Sequence, residues 1–234
     1  SVQSAPQHYI DGGFTFCGLP NGYWGRDHGH NDGRDPDGFL VTAWGVYPIG
    51  GRFDDNRFSG APPGSGGGGA GITPILTAAW VDFMIAEMAM AANNLPAAKT
   101  AMINGVTKSI AKVQTFGVLD PVADLSFEPT ASEVTQYIND VSAAWDSASD
   151  IEKWNVFGEQ FFIAVFGNGV EPYNFYRRTG YPTTLQPNRA PDPGGFPRSM
   201  YYPAASVTTN PNAEQKPNQI QPVFWDLNQP LTAN

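Results

Sequence analysis

The chain has 234 residues with a formal net charge of −9, and glycine and proline (26 and 21 residues) take about a fifth of it. That length allows one sizeable domain or two small ones, and a hydrophobic content of 41% allows a packed core. An acidic chain with no basic stripe argues against a nucleic acid or an anionic membrane as partner. One cysteine, Cys17, rules out an internal disulfide, and no apolar run is long enough to span a bilayer. A chain that opens at Ser1 instead of methionine is expected to be processed, trimmed or partial, so its terminus gives no localisation.

Residues 1–58 carry aromatics and glycine with little periodicity, although Phe39–Tyr47 (FLVTAWGVY) fits an extended strand or a buried loop. Ser59–Gly71 (SGAPPGSGGGGAG) has the composition of a flexible linker. Helical spacing begins after it. Ile75, Leu76, Ala79, Trp80, Phe83, Met84 and Ala86 make one apolar face, stopped at Asn93–Asn94. Pro96 stands near the start of a second helix that runs to about Gln114, with Ala98, Met102, Val106, Ile110 and Val113 on one side. Two antiparallel helices with so short a joint form an αα-hairpin.

Two further helices announce their starts with capping boxes, Thr130-Ala-Ser-Glu133 and Ser149-Asp-Ile-Glu152. Behind the first lie Val134, Tyr137, Ile138, Val141 and Trp145. Behind the second lie Ile151, Trp154, Phe157, Phe161, Phe162, Val165 and Phe166, apolar around so much of the circumference that deep burial is expected. Gly167-Asn-Gly169 stops that helix, and a short one follows from roughly Glu171 to Arg178, ending at Gly180. From Tyr181 to Asn234 prolines recur and periodicity is lost. The pairs Tyr201–Tyr202 and Phe224–Trp225 favour a tail that wraps a helical body, because such rings need a surface to bury. The expected organisation is one domain, with a loop-rich segment 1–71 on the ligand side, a helical body 72–180 and a wrapping tail 181–234.

The densest chemistry lies in Tyr23–Gly38 (YWGRDHGHNDGRDPDG). His28-Gly-His30-Asn-Asp32 fits the H-x-H-x-D opening of a binuclear zinc motif. Glycine follows where that motif carries histidine, and the third histidine of the chain, His8, lies upstream, so the binuclear site cannot be assembled. A single zinc on His28, His30 and a carboxylate would make a metal-dependent hydrolase. Asp27, Asp32, Asp35 and Asp37 instead offer hard oxygen ligands that suit calcium, without EF-hand spacing. The favoured reading is an ordered loop held by its own aspartates, glycines and arginines, with a rim that faces a ligand. No nucleophile elbow and no phosphate-binding lysine follow from the remaining motifs, so no catalytic residue is assigned.

Asn155–Pro187 (NVFGEQFFIAVFGNGVEPYNFYRRTGYPTTLQP), with Pro197–Asn212 (PRSMYYPAASVTTNPN) and Val223–Asp226 (VFWD), resembles the C-terminal region of SusD/RagB-like outer-membrane nutrient-binding lipoproteins. Tyr23–Asp54 is similar to a loop segment in one branch of that family. The resemblance implies a mostly α fold of tetratricopeptide-like helical hairpins with long irregular loop regions (SusD-like). It also implies a non-catalytic protein at the cell surface of Bacteroidetes, lipid-anchored to the outer membrane through an N-terminal segment absent from this chain. The implied partners are a SusC-like TonB-dependent transporter, an oligosaccharide or peptide ligand, and the N-terminal half of the same protein. Read this way the chain is the C-terminal half, its helix faces partly bare without the other half. Tyr23, Trp24, Arg26, Asp27, His28 and Asp32 then supply the stacking face and hydrogen-bonding groups a sugar needs. The rival reading is a scaffold that contacts only the transporter. The Arg177–Arg178 pair is expected to tie the fold together by bonding carbonyls or carboxylates.

Overall fold

The computed structural model describes residues 10–11, 72, 74–119, 125, 128–186, 188, 192 and 194–226. Among them the chain is mostly α, with no strand and six α-helices joined by loops: α1 Ala78–Ala91, α2 Leu95–Val113, α3 Ala131–Ser147, α4 Asp150–Ala164, α5 Val170–Thr179 and α6 Ala204–Thr209. Successive antiparallel helices build the helical hairpins expected of the fold.

The first helix begins later than its apolar periodicity suggests. Thr77 is extended, and its hydroxyl accepts from the Trp80 amide at 3.3 Å, so the helix starts at Ala78. Ile75 and Leu76 precede it and stay exposed, and Met84 also faces outward. The buried face is Ala79, Trp80, Phe83, Ala86 and Met90. At the far end Asn93 adopts a left-handed φ of 55°. The Asn94 amide reaches back to the Ala89 carbonyl (2.8 Å) and the Asn93 amide to that of Met90 (2.9 Å), which closes the helix as a Schellman motif. Asn94 then caps α2 through its side chain, accepting from the Ala97 amide, and Pro96 sits in its first turn.

Both capping boxes form as read. Thr130 and Glu133 exchange side-chain-to-backbone bonds at the start of α3, and Ser149 and Glu152 do so at the start of α4. α2 packs against α1, α3 and α4, and α4 also touches α1 and α3. The core is aromatic at its centre: the Phe83 ring lies 5.9 Å from that of Phe157 and 5.4 Å from that of Phe161, and Phe175 of α5 closes on the same two at 5.5 and 5.2 Å. The Trp80 indole N–H donates to the Ala164 carbonyl at 2.8 Å, which satisfies its one polar atom in the core.

α4 departs from the expectation of all-round burial. Phe157, Phe161 and Ala164 are buried, with Val165 just past the helix end, but Ile151, Phe162, Ile163 and Phe166 are exposed. The core takes one side of α4 and the tail meets Asn155 and Glu159 elsewhere on the helix, so Ile151, Phe162 and Ile163 gain no cover. The tail also holds a short helix, α6, in a stretch where periodicity gives no sign of one.

Candidate functional site

Every residue singled out from the sequence for ligand or metal lies outside the described residues: Tyr23, Trp24, Arg26, Asp27, His28 and Asp32, with Asp35 and Asp37. The same holds for His8, His30, Cys17, Phe39–Tyr47 and the glycine-rich Ser59–Gly71. Among the described residues no group of three or more His, Cys, Asp or Glu side chains is arranged to hold a metal ion. No described helix is long and apolar enough to cross a membrane.

The densest polar and aromatic arrangement that is described joins α5 to the tail. α5 starts where Asn168 turns the chain, its side-chain oxygen accepting from the Val170 and Glu171 amides (2.9 and 3.1 Å). It ends at Gly180, whose φ of 76° lies in the left-handed region that a side chain disfavours. Within its ten residues the helical spacing places Tyr173, Asn174, Tyr176 and Arg177 toward the tail.

Arg177 is buried, and its guanidinium makes both hydrogen bonds and ring contacts. Nη1 donates to the Arg198 carbonyl (2.9 Å) and to the Tyr173 hydroxyl (3.3 Å), and Nη2 donates to Asn174 Oδ1 (3.1 Å). The group also lies over the Tyr173 ring at 4.8 Å and over the Trp225 ring at 4.5 Å. Tyr173 in turn stacks on Phe196 at 5.8 Å and donates its hydroxyl to the Pro197 carbonyl at 2.7 Å. Four planar groups, Trp225, Arg177, Tyr173 and Phe196, thus form a continuous ladder.

The second arginine of the cluster, Arg198, makes a two-pronged ion pair with Asp226: Nε to Oδ2 at 2.9 Å and Nη2 to Oδ1 at 2.8 Å, both side chains buried. The hydrogen bond that Arg198 donates to Asp226 raises the arginine's pKa above its ordinary value, so the guanidinium stays charged. Planar guanidinium and carboxylate fit in this fork better than a lysine would allow. The adjacent amides of Arg198 and Ser199 both donate to the Gln219 carbonyl (2.8 and 3.1 Å), laying the segment around 198–202 beside that around 215–221. Further along, Gln215 clamps Tyr202 through its amide and carbonyl, each at 2.9 Å.

Arg178, the neighbour of Arg177, turns the other way and forks onto Glu87 of α1 at 2.7 and 2.8 Å. Both members of the Arg177–Arg178 pair therefore tie the fold together, one through a carbonyl and one through a carboxylate. The aromatic pairs of the tail do not all find cover. Trp225 packs on Arg177 and keeps 46% of its surface exposed, Phe224 is 94% exposed, and Tyr201 and Tyr202 are half exposed. The Arg198–Asp226 pair escaped the sequence reading because its members stand 28 residues apart with no shared periodicity. The only signal was the late Phe-Trp-Asp run itself.

No curated protein and no solved structure matches the chain. The SusD-like family model, described as SusD and RagB outer membrane lipoprotein, matches residues 71–221, a stretch that takes in all six helices and both arginines of the tail cluster. By that match the chain belongs to the SusD-like family of outer membrane lipoproteins.

Proposed function

We propose that this protein is the substrate-capturing component of an outer-membrane uptake system: it binds an oligosaccharide at the cell surface and passes it to a TonB-dependent transporter. The family match over residues 71–221 carries the reading, because the family is one of non-catalytic outer-membrane nutrient-binding proteins. The acidic, aromatic opening loop adds to it. Tyr23 and Trp24 offer amphipathic rings for the apolar face of a pyranose, and Arg26, Asp27, His28 and Asp32 offer partners for its hydroxyls. In this reading residues 1–71 lie on the ligand side, the helices are the support and 181–234 is the covering tail. A lipid anchor holds the assembly to the membrane.

Isothermal titration of the intact protein against panels of neutral oligosaccharides and of oligopeptides tests the reading, with Trp24→Ala alongside. Saturable binding to one glycan class, weakened about tenfold by Trp24→Ala, supports both the role and the loop. Binding to peptides alone moves the substrate class. Binding to neither panel removes the capture role and leaves the scaffold reading.

A further inference from the structure

An asparagine followed by glycine can react with its own backbone, because glycine carries no Cβ to crowd its amide nitrogen. Such pairs stand at 21–22, 104–105 and 168–169, the first outside the described residues. The other two sit in opposite settings. Asn104–Gly105 lies in the interior of α2, with Gly105 buried against Phe83. Asn168–Gly169 lies in the joint between α4 and α5, and Gly169 is exposed.

The fold gives no reason for glycine at 169. Its φ of −82° and ψ of −14° are open to any residue, and a Cβ there would meet nothing within 4 Å. Its amide donates no hydrogen bond among the described residues, whereas the next two amides, of Val170 and Glu171, both donate to Asn168 Oδ1 at 2.9 and 3.1 Å. A free, solvated nitrogen therefore stands beside a carboxamide whose oxygen already has two donors. Those donors face the oxygen on which negative charge gathers when the carbon is attacked, which favours the intermediate. They also restrain the side chain. Releasing two ordinary hydrogen bonds to reach the reactive rotamer slows the reaction by about tenfold to a hundredfold relative to an open peptide. At Asn104 the same step requires α2 to unwind within the core, a far rarer event.

We propose that Asn168–Gly169 is a site of spontaneous self-modification, cyclising to a succinimide that opens to isoaspartate and aspartate. Base in the solvent takes the Gly169 amide proton, the nitrogen bonds Asn168 Cγ, the Cγ–Nδ2 bond breaks, and the carboxamide nitrogen leaves as ammonia. Water then opens the imide ring. Attack at Cγ leaves aspartate on an unchanged main chain. Attack at the backbone carbonyl leaves isoaspartate, with the main chain running through Cβ and Cγ. Both products lose the bond from Asn168 Nδ2 to the Pro74 carbonyl (3.4 Å), which joins the entry of α1 to the start of α5. Isoaspartate also removes the cap from α5, the helix whose Tyr173 and Arg177 fasten the tail.

The test incubates the intact folded protein, wild type and Gly169→Ala, in mildly alkaline buffer. Mass spectrometry follows the Asn104 and Asn168 peptides, and a protein-isoaspartate methyltransferase reads out isoaspartate. Gly169→Ala adds a methyl group in open space at an ordinary φ, so its thermal unfolding is expected to match wild type. The expected result is amide-to-acid conversion with isoaspartate at Asn168, at least about tenfold faster than at Asn104 and at least about tenfold slower in Gly169→Ala. Equal rates at Asn104 and Asn168 would place the reaction in the unfolded chain and overturn the site. Conversion at the wild-type rate in Gly169→Ala, without isoaspartate, would mean direct hydrolysis by water and overturn the cyclisation. An Asn168 that stays an amide in the folded protein but converts in heat-unfolded protein would show that its two capping bonds protect it, and the proposal falls.

Discussion

Gly105 shows two opposed effects at one atom. It sits inside α2, where glycine costs a helix about 1 kcal/mol relative to alanine. Propensity alone therefore favours Gly105→Ala. A Cβ at this position, however, would meet two Phe83 ring carbons at 2.8 Å and the Ala79 carbonyl oxygen at 3.2 Å. Phe83 is fully buried between Phe157 and Phe161 and has no room to yield, and the carbonyl belongs to a helix backbone. Overpacking a rigid core costs about 1–3 kcal/mol, so sterics should win. Gly105→Ala is expected to destabilise the protein by up to about 2 kcal/mol net in urea unfolding. A stabilised variant would mean that α1 and α2 approach each other less closely than the glycine implies.

At the scale of the element, the capping boxes connect structure to pH. The backbone amide of Thr130, and after it the Thr130 hydroxyl, holds the Glu133 carboxyl below its ordinary pKa; Ser149 does the same for Glu152. A carboxyl whose pKa is lower in the folded chain stabilises it above the unfolded value of about 4.3, and that contribution fades as pH falls through the depressed folded value. Thermal unfolding followed from about pH 6 down to about pH 3 should show this contribution to wild type disappearing in the acid part of that range. The Glu133→Gln/Glu152→Gln double variant keeps the acceptor oxygens but cannot titrate, so its melting temperature should fall less steeply over the same range. Parallel slopes would mean that the two carboxyls titrate alike in the folded and unfolded chain. These boxes were legible in the sequence because all their partners lie within three residues. The Asn93–Asn94 stop and the Gly180 end were legible too, with partners no more than five residues back. Periodicity was a poorer guide, because it counts apolar residues without knowing what faces them. It put Ile75 and Leu76 on the first helix, whereas Thr77 caps the helix after them. It also could not show that Val81, Ile85 and Met88 on α1 and Phe162 and Ile163 on α4 stay exposed. The candidate site was less legible still. The ladder from Trp225 to Phe196 and the Arg198–Asp226 pair unite residues dozens of positions apart, which no local pattern encodes.

Across the whole molecule, the helices and the tail are held by different kinds of contact, and this predicts two levels of stability. The hydrophobic cluster runs from Ala79 to Phe175, with Tyr181 packed against its edge, and takes in no described residue of the later tail. The tail is fastened first to α4, where Asn155 accepts from Thr183 and Glu159 from Thr184, and then to α5 through Arg177 and Tyr173. Its own lock is the Arg198–Asp226 pair. Removing one partner of a buried ion pair leaves the other charged and unpaired, at a cost of about 3–5 kcal/mol. Whole domains are stable by only about 5–15 kcal/mol, so a loss of that size shared by the entire chain would be visible in every helix. Confined to the tail, it would release the tail and spare the rest. Asp226→Ala is therefore expected to abolish hydrogen-exchange protection at the Arg198 and Ser199 amides, which bond Gln219, and to leave the interior amides of α1–α4 as protected as in wild type. Equal loss of protection in α1–α4 would make tail and helices one cooperative unit. Selective loss would make the Arg198–Asp226 pair the latch that fastens the tail to α5, with the helical body folding and holding without it.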